Sequence, residues 1–276
     1  MKHAYTVTIA AAATILFTGS AHAQNQNPAN QNYLSVISLK VAPDQEAAFT
    51  EFYKTGPGSK AIQDRIKANK ESMRWTLLQA VYPGDPAPET NFMIASARGG
   101  APTDPDPAKR DEQTRASTGM TYVQYMQKVR TMSRTVGQTL SHLHEATPGF
   151  ALSEGDYVVV RRLKVSPGKT QEVSDLMRDV QYPLAADGVK AGRFKGWSFS
   201  HLSFPTGSSL PYDATAVWVH KDLASAVAGM GPNNGAAARF AEVLPGKNYS
   251  NYLDSLRENS KVVRTDLYRV VAAYRK

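Results

Sequence analysis

Residues 33–43 read YLSVISLKVAP, and residues 157–167 read YVVVRRLKVSP. The two stretches align without a gap, and each is a run of β-branched and aliphatic residues that ends at a proline, as β-strands often do. Further matches follow in the same order along the chain: Trp75 with Trp197, Pro83 with Pro205, Tyr122 with Tyr249, and Tyr125 with Tyr252. The spacing between matched residues changes by only a few positions. The sequence therefore indicates two copies of one unit, arranged in tandem.

Each copy predicts the same order of elements. The first copy covers residues 33–145 and the second covers residues 157–276, with residues 146–156 as a linker. Each begins with a strand, continues with an amphipathic helix and two strands, and closes with a second helix and a last strand. Thr121 and Asn248 precede the two second helices and are good N-cap residues. The predicted order is βαββαβ, the ferredoxin-like arrangement of an α+β protein.

A duplicated unit of this kind resembles the dimeric α+β barrel superfamily, with both halves fused in one chain. The resemblance implies that helices cover one face of each sheet, and that the two repeats pack sheet to sheet as an intrachain pseudo-dimer. It does not imply one activity. The superfamily contains cofactorless monooxygenases, isomerases, lyases, haem enzymes and proteins with no known activity.

The N-terminal residues have the features of a secretory signal. A short polar segment with Lys2 precedes an apolar run at residues 7–17, which is too short to span a bilayer. Ala21-His22-Ala23 supplies the small residues of a cleavage site. We expect residues 1–23 to be a signal peptide and the Gln/Asn-rich residues 24–32 to be a disordered leader. The protein should then be exported, to the periplasm or beyond the cell, without inserting into the membrane.

Composition excludes several classes of site. The chain contains no cysteine, which rules out disulfides, thiolate metal sites and a cysteine nucleophile. Its formal net charge is +8, but the basic residues are scattered and form no block with interleaved aromatics, so we do not predict nucleic-acid binding. The common hydrolase, zinc-protease and nucleotide-binding motifs are missing from the sequence.

Four histidines follow the predicted signal peptide, and none is shared between the copies. His142 and His144 alternate on a predicted strand, which places both rings on one face and makes them weak candidates for a metal pair, with Glu145 pointing the other way. His201 and His220 lie on consecutive strands and would be cross-strand neighbours if their hairpin were symmetric. Such a pair could contact a ligand, share a proton or place one ring under a haem iron. Each histidine could also be a half-buried residue of an ordinary sheet.

Aromatic residues of the second copy are the other candidates. Tyr249 and Tyr252 have the spacing of one helix face and could line a pocket between helix and sheet, although the same spacing describes a core stripe. Trp197 and Trp218 allow the same two interpretations. The long loops also differ between the copies, at residues 98–107 and 224–247. If such loops cover a pocket, their difference would place a single site in one half of the protein.

These features support three hypotheses. The first is an exported protein that binds a small molecule in one repeat, through residues among His201, His220, Trp197, Trp218, Tyr249 and Tyr252. For it we expect no cofactor, with haem as the alternative. The second is a cofactorless or haem-dependent enzyme of the superfamily. The third is a structural or interaction protein of the cell envelope.

Overall fold

The computed structural model describes residues 32–68, 73–82, 89–100, 106–230 and 235–276. The predicted signal peptide, and the predicted leader apart from Asn32, lie outside the described residues. The first repeat consists, in chain order, of β1 (Asn32–Val41), α1 (Glu46–Lys54), α2 (Pro57–Ala68), β2 (Met73–Tyr82), β3 (Phe92–Gly99), α3 (Pro107–Thr118), α4 (Tyr122–Met132) and β4 (Ser133–Ala146).

The second repeat has the same plan. It consists of β5 (Tyr157–Val165), α5 (Thr170–Leu176), a π-helical turn (Met177–Gln181), α6 (Tyr182–Lys190), β6 (Gly196–Phe204), β7 (Ala214–His220), α7 (Leu223–Met230), α8 (Ala236–Val243), α9 (Tyr249–Asn259) and β8 (Ser260–Arg275). The duplicated α+β fold predicted from the sequence is confirmed. Helices α2 and α3 of the first repeat, and their partners in the second, elaborate the basic βαββαβ order.

The two sheets join at their edges into one closed barrel. The order around the barrel is β1-β3-β2-β8-β5-β7-β6-β4, and β4 pairs in turn with β1. The repeats meet where β2 pairs with β8 and where β4 pairs with β6, both antiparallel. The helix-free faces therefore become the barrel interior, and no described strand keeps an open edge.

Local sequence signals set the start of the second helix in each repeat. The Thr121 hydroxyl accepts a hydrogen bond from the amide of Gln124, and the Gln124 side chain accepts one from the amide of Thr121. In the second repeat, the Asn248 side chain accepts from the amide of Asn251. Both predicted N-caps are confirmed, and both satisfy amides that would otherwise have no partner.

The core has an outer layer on each sheet and an inner layer within the barrel. In the first repeat, Phe49, Phe52 and Tyr53 of α1 pack on Trp75 and its neighbours. The interior layer contains Leu78, Met93, Val158, Val160, Tyr268 and Val270, so it draws on strands of both repeats. None of the helices in the described ranges is long and apolar enough to cross a membrane.

Candidate functional site

A cavity of about 840 Å³ lies in the second repeat, between the outer face of the sheet and the helices that cover it. The sheet contributes β5 and β7, and α6 to α9 form the opposite wall. Four of the six residues singled out from the sequence line this cavity: Trp218, His220, Tyr249 and Tyr252. In the aligned region of the first repeat, Phe49, Phe52, Ile62 and Ile66 belong to one cluster of buried side chains on the sheet.

The covering helices explain the difference between the repeats. In α2 the buried face includes Ile62 and Ile66, which pack against the first sheet. The corresponding helix α6 buries Ala185 and Gly188 instead. Because a helix that presents small residues leaves space above the sheet, the second repeat keeps a cavity where the first has aliphatic side chains.

One wall of the cavity is aromatic. Phe240 of α8 stacks on Tyr252 of α9 with ring centroids 5.6 Å apart, and it also contacts Tyr249. The Tyr252 hydroxyl donates a hydrogen bond of 2.8 Å to the side-chain oxygen of Gln181. Burial raises the pKa of Tyr252 to about 12, so this phenol is a neutral donor at physiological pH. Gln181 ends the π-helical turn, a local irregularity that is frequent at functional sites.

The sheet side of the cavity carries the positively charged side chain of Arg161. The guanidinium of Arg161 lies over the ring of Trp218, 4.9 Å from its centroid. Burial lowers the pKa of Arg161. The side chain nevertheless stays protonated, because the ordinary pKa of an arginine is far above physiological pH. Arg161 has no carboxylate partner among the described residues. By contrast, Arg193 and Arg239, which also line the cavity, both pair with Asp187.

His220 also lines the large cavity. Its side chain is nearly inaccessible, at 3% exposure, and its Nδ1 is buried without a hydrogen-bond partner in the described part of the chain. Burial lowers its pKa, against a smaller opposing effect of Asp222, so the ring is neutral. Helix α7 approaches closely because Gly229 has no side chain, and a Cβ there would lie 2.9 Å from Cε1 of His220. A neutral imidazole with unpaired nitrogen is therefore held at the cavity wall.

The predicted contact between His201 and His220 is wrong. His201 lies opposite Ala214, whereas His220 lies at the other end of β7, opposite Tyr157 of β5. The prediction assumed a hairpin centred on residues 209–211, whereas the observed pairs are centred between residues 207 and 208. Trp197 is fully buried and lies directly opposite Trp218 on the neighbouring strand, with the two rings 6.5 Å apart, so it supports the cavity wall from the side.

The other three histidines form a separate cluster on the outer face where β4 meets β6. His142 lies directly opposite His201, and the rings of His144 and His201 are 5.7 Å apart. The His201 Nε2 lies 2.9 Å from the hydroxyl of Ser174. The Ser174 hydroxyl also bonds the carbonyl of Thr170 and carries a single hydrogen, so the geometry suits an Nε2–H that donates to Ser174.

A β-bulge changes the predicted orientation of Glu145. The register of β4 against β6 shifts between Leu143 and Glu145, which places His144 and Glu145 together opposite Phe199. The Glu145 carboxylate lies 3.6 Å from Nδ1 of His144 and does not point away from it as predicted. Within the described part of the chain, no group of three or more His, Asp or Glu side chains is arranged to hold a metal ion.

Comparison with known proteins identifies a fold but no closer relationship. No protein-family model and no curated protein matches the chain. An anthrone oxidase-like protein superposes with a TM-score of 0.51 and 11% identity, over 89% of this chain and 93% of that one. A candidate monooxygenase from Fusobacterium nucleatum gives a TM-score of 0.54 and 9% identity, over 89% and 95% of the two chains.

A haem-binding protein from Thermus thermophilus gives a TM-score of 0.45 and 8% identity, over 87% of this chain and 91% of that one. At such low identities only the fold is shared. The superpositions on the anthrone oxidase-like protein and on the candidate monooxygenase span nearly the whole of each chain, so both repeats take part. The chain has the dimeric α+β barrel fold, with both halves in one polypeptide.

Proposed function

We propose that the second repeat binds a flat, largely apolar organic anion in the cavity between β5, β7 and helices α6 to α9. The observation that carries the proposal is Arg161, a half-buried cation that lies on the indole of Trp218 and has no carboxylate partner among the described residues. A buried charge without a partner is costly, and an anionic ligand would supply the partner.

The remaining walls suit the apolar part of such a ligand. Phe240, Tyr249, Tyr252 and Phe194 offer aromatic surface, and Leu253 and Leu256 add aliphatic surface. A volume of about 840 Å³ is ample for a molecule of several fused or linked rings, since small-molecule pockets measure roughly 300–1,000 Å³. A cavity of this size with a cation and aromatic side chains in its lining supports a binding role over that of a scaffold.

Haem belongs to the same chemical class, and the residues fit it in part. The aromatic walls suit a porphyrin, and Arg161 suits one of its carboxylates. The surroundings of His220 do not suit a ligand of the haem iron. A histidine that ligates a metal almost always donates its second nitrogen to a partner, whereas Nδ1 of His220 is buried and has none within the described ranges. We therefore propose an organic anion as the ligand and treat haem as the alternative that the experiment must separate.

The test uses two fluorescent probes that share one skeleton. Anilinonaphthalene sulfonate carries an anionic group, and N-phenylnaphthylamine does not. We expect saturable binding of both at one site, with the sulfonate bound about tenfold more tightly because of its interaction with Arg161. Equal affinities, or binding that does not saturate, would contradict the proposal. A stoichiometric shift of the Soret band on haem addition would favour haem instead.

Catalysis in the same cavity is a second candidate, and His220 favours it. A neutral imidazole held at a cavity wall can accept a proton from a bound phenol. The absorbance spectrum of bound naphthol tests this, because a hydrogen bond from the naphthol hydroxyl to the ring shifts the band to longer wavelength. Since the lowered pKa of His220 leaves naphthol neutral in the ground state, we expect a shifted neutral band in the wild type and an unshifted one in His220→Gln. The same neutral spectrum in both proteins would argue for binding alone.

We also propose that the chain is exported and cleaved after Ala23. The proposal rests on the polar, apolar and small-residue segments at residues 1–23. Expression in a bacterium with the natural N terminus, followed by intact mass measurement of the exported fraction, tests it. A protein that stays in the cytosol at full length would refute it.

A further inference from the structure

A second cavity, of about 290 Å³, lies inside the barrel and is separate from the one in the second repeat. Strands alternate their side chains between the helix side and the interior, so this cavity is lined by residues that face away from the helices. Its apolar wall includes Val36, Leu78, Met93, Val158, Val160 and Val217. Both repeats contribute to this wall, and the site exists only because the two sheets close into one barrel.

A row of hydroxyl groups lies along one side of this cavity. Ser141 of β4 and Ser198 and Ser200 of β6 line it, at exposures of 4%, 6% and 4%. Their hydroxyls make no side-chain hydrogen bond with the described residues. Because buried hydroxyls normally have partners, these three can hydrogen-bond to water or to a ligand that enters the cavity.

A charged cluster lies beside the lining residue Arg162. The fully buried carboxylate of Asp266 pairs with Arg162 and also accepts a 2.8 Å hydrogen bond from Nε of Arg264. Two guanidinium groups thus share one carboxylate, and the three groups together carry one positive charge. The guanidinium of Arg162 also lies 5.4 Å from the ring centroid of Tyr212, another lining residue. An anion beside Arg162 would neutralise the cluster.

From this arrangement we infer that the barrel interior is a second binding site, for an unbranched medium-chain carboxylate. Its carboxylate would pair with Arg162, and its chain would lie along the apolar wall. The volume favours a medium rather than a long chain, because about 290 Å³ is at the lower limit of the roughly 300–1,000 Å³ found for ligand sites.

Calorimetric titration of the full chain with octanoate and with octanol tests this inference, because the two molecules share one chain length and differ in charge. We expect octanoate to bind about tenfold more tightly than octanol. In Arg264→Gln the preference should disappear, since Asp266 then neutralises Arg162 completely. This variant keeps the buried ion pair between Arg162 and Asp266. The exposed Arg257 provides the matched control, and Arg257→Gln should leave both affinities unchanged.

A second variant separates the two cavities. Ala95 lines the interior cavity, so Ala95→Leu should abolish octanoate binding and leave the binding of anilinonaphthalene sulfonate intact. Arg161→Gln should have the opposite pattern. The inference is overturned if wild-type protein binds neither molecule or binds both equally. It is also overturned if Arg264→Gln keeps the preference for octanoate, an outcome that does not depend on whether Ala95→Leu folds.

Discussion

The guanidinium carbon of Arg161 lies 4.9 Å from the ring centroid of Trp218, on the sheet face that forms one wall of the large cavity. The indole face attracts the cation and holds it in place, but it carries no net charge. Trp218 in turn packs against the buried Trp197 of the neighbouring strand. Arg161 is therefore held in position with its charge uncompensated, as a site for an anion requires.

Removing this charge should weaken the binding of anions selectively. We expect Arg161→Gln to lower the affinity for anilinonaphthalene sulfonate about tenfold, in line with the loss of one charge-assisted contact. The affinity for the neutral N-phenylnaphthylamine should change less than twofold. Fluorescence titration measures both. Arg134→Gln, at an exposed position of β4, is the control and should match the wild type. An equal loss for both probes would point to a general disturbance of the cavity.

Restoring a bulky side chain on α6 should close the cavity. Ala185 is buried and lines it, whereas the corresponding helix of the first repeat buries Ile62 and Ile66. We expect Ala185→Ile to reduce the affinity for both fluorescent probes at least tenfold, because the added carbons occupy the space that the ligand needs. Stability should change by less than about 1.5 kcal/mol, since the side chain fills existing space. Unchanged probe affinity would place the ligand elsewhere.

His220 should lower the free energy of unfolding of the protein. Its Nδ1 is buried with no partner among the residues that the structure describes, and a buried polar group without a partner costs about 1–3 kcal/mol. We expect His220→Leu to raise the free energy of unfolding by about 1 kcal/mol at pH 8, measured by urea denaturation. His201→Leu is the matched control. That ring bonds Ser174, so its removal should not stabilise the protein. A loss of stability in His220→Leu would mean that the ring has a partner in solution.

His201 should make stability depend on pH. Burial, followed by the nearby His144 and His142, lowers its pKa to about 4, while Asp213 opposes the shift. Below pH ~6.5 the unfolded chain takes up a proton at this residue and the folded chain does not. Its contribution is therefore complete above pH ~6.5 and is lost progressively as the pH falls towards 4, by up to about 3 kcal/mol.

The variant His201→Gln isolates this effect from the carboxylates that also titrate in acid. We expect the wild type to lose stability relative to the variant as the pH falls from 7 to 4.5, so that the unfolding free energy of the wild type minus that of the variant decreases. Urea denaturation at several pH values measures it. Neighbouring groups that titrate or carry charge are present in both proteins, so only their interaction with His201 differs between the two; they are His142, His144, Glu145, Asp175, Arg178, Asp179 and Asp213. A difference that is constant with pH would mean that His201 titrates normally.

The amino-acid sequence by itself determined the duplication, the order of strands and helices, and both N-caps. These features depend on residues close together in the chain or on direct comparison of the two copies. The alternation at residues 33–43 and 157–167 needs no knowledge of neighbouring strands. Thr121 and Asn248 act on amides within their own helix turn. Alternation along a strand also places Trp218 and His220 on one face, and helical spacing does the same for Tyr249 and Tyr252.

The tertiary structure decided the partners of the histidines and the presence of the cavities. The centre of the β6–β7 hairpin, between residues 207 and 208, separated His201 from His220, and a β-bulge turned Glu145 towards His144. The large cavity depends on the small residues that α6 turns towards its sheet, and the interior one on closure of the barrel. Arg161 was not singled out from the sequence, because its lack of a carboxylate becomes evident only when every neighbouring strand and helix is in place. Register, packing distance and charge compensation are properties of contacts between distant segments, and no pattern within one segment contains them.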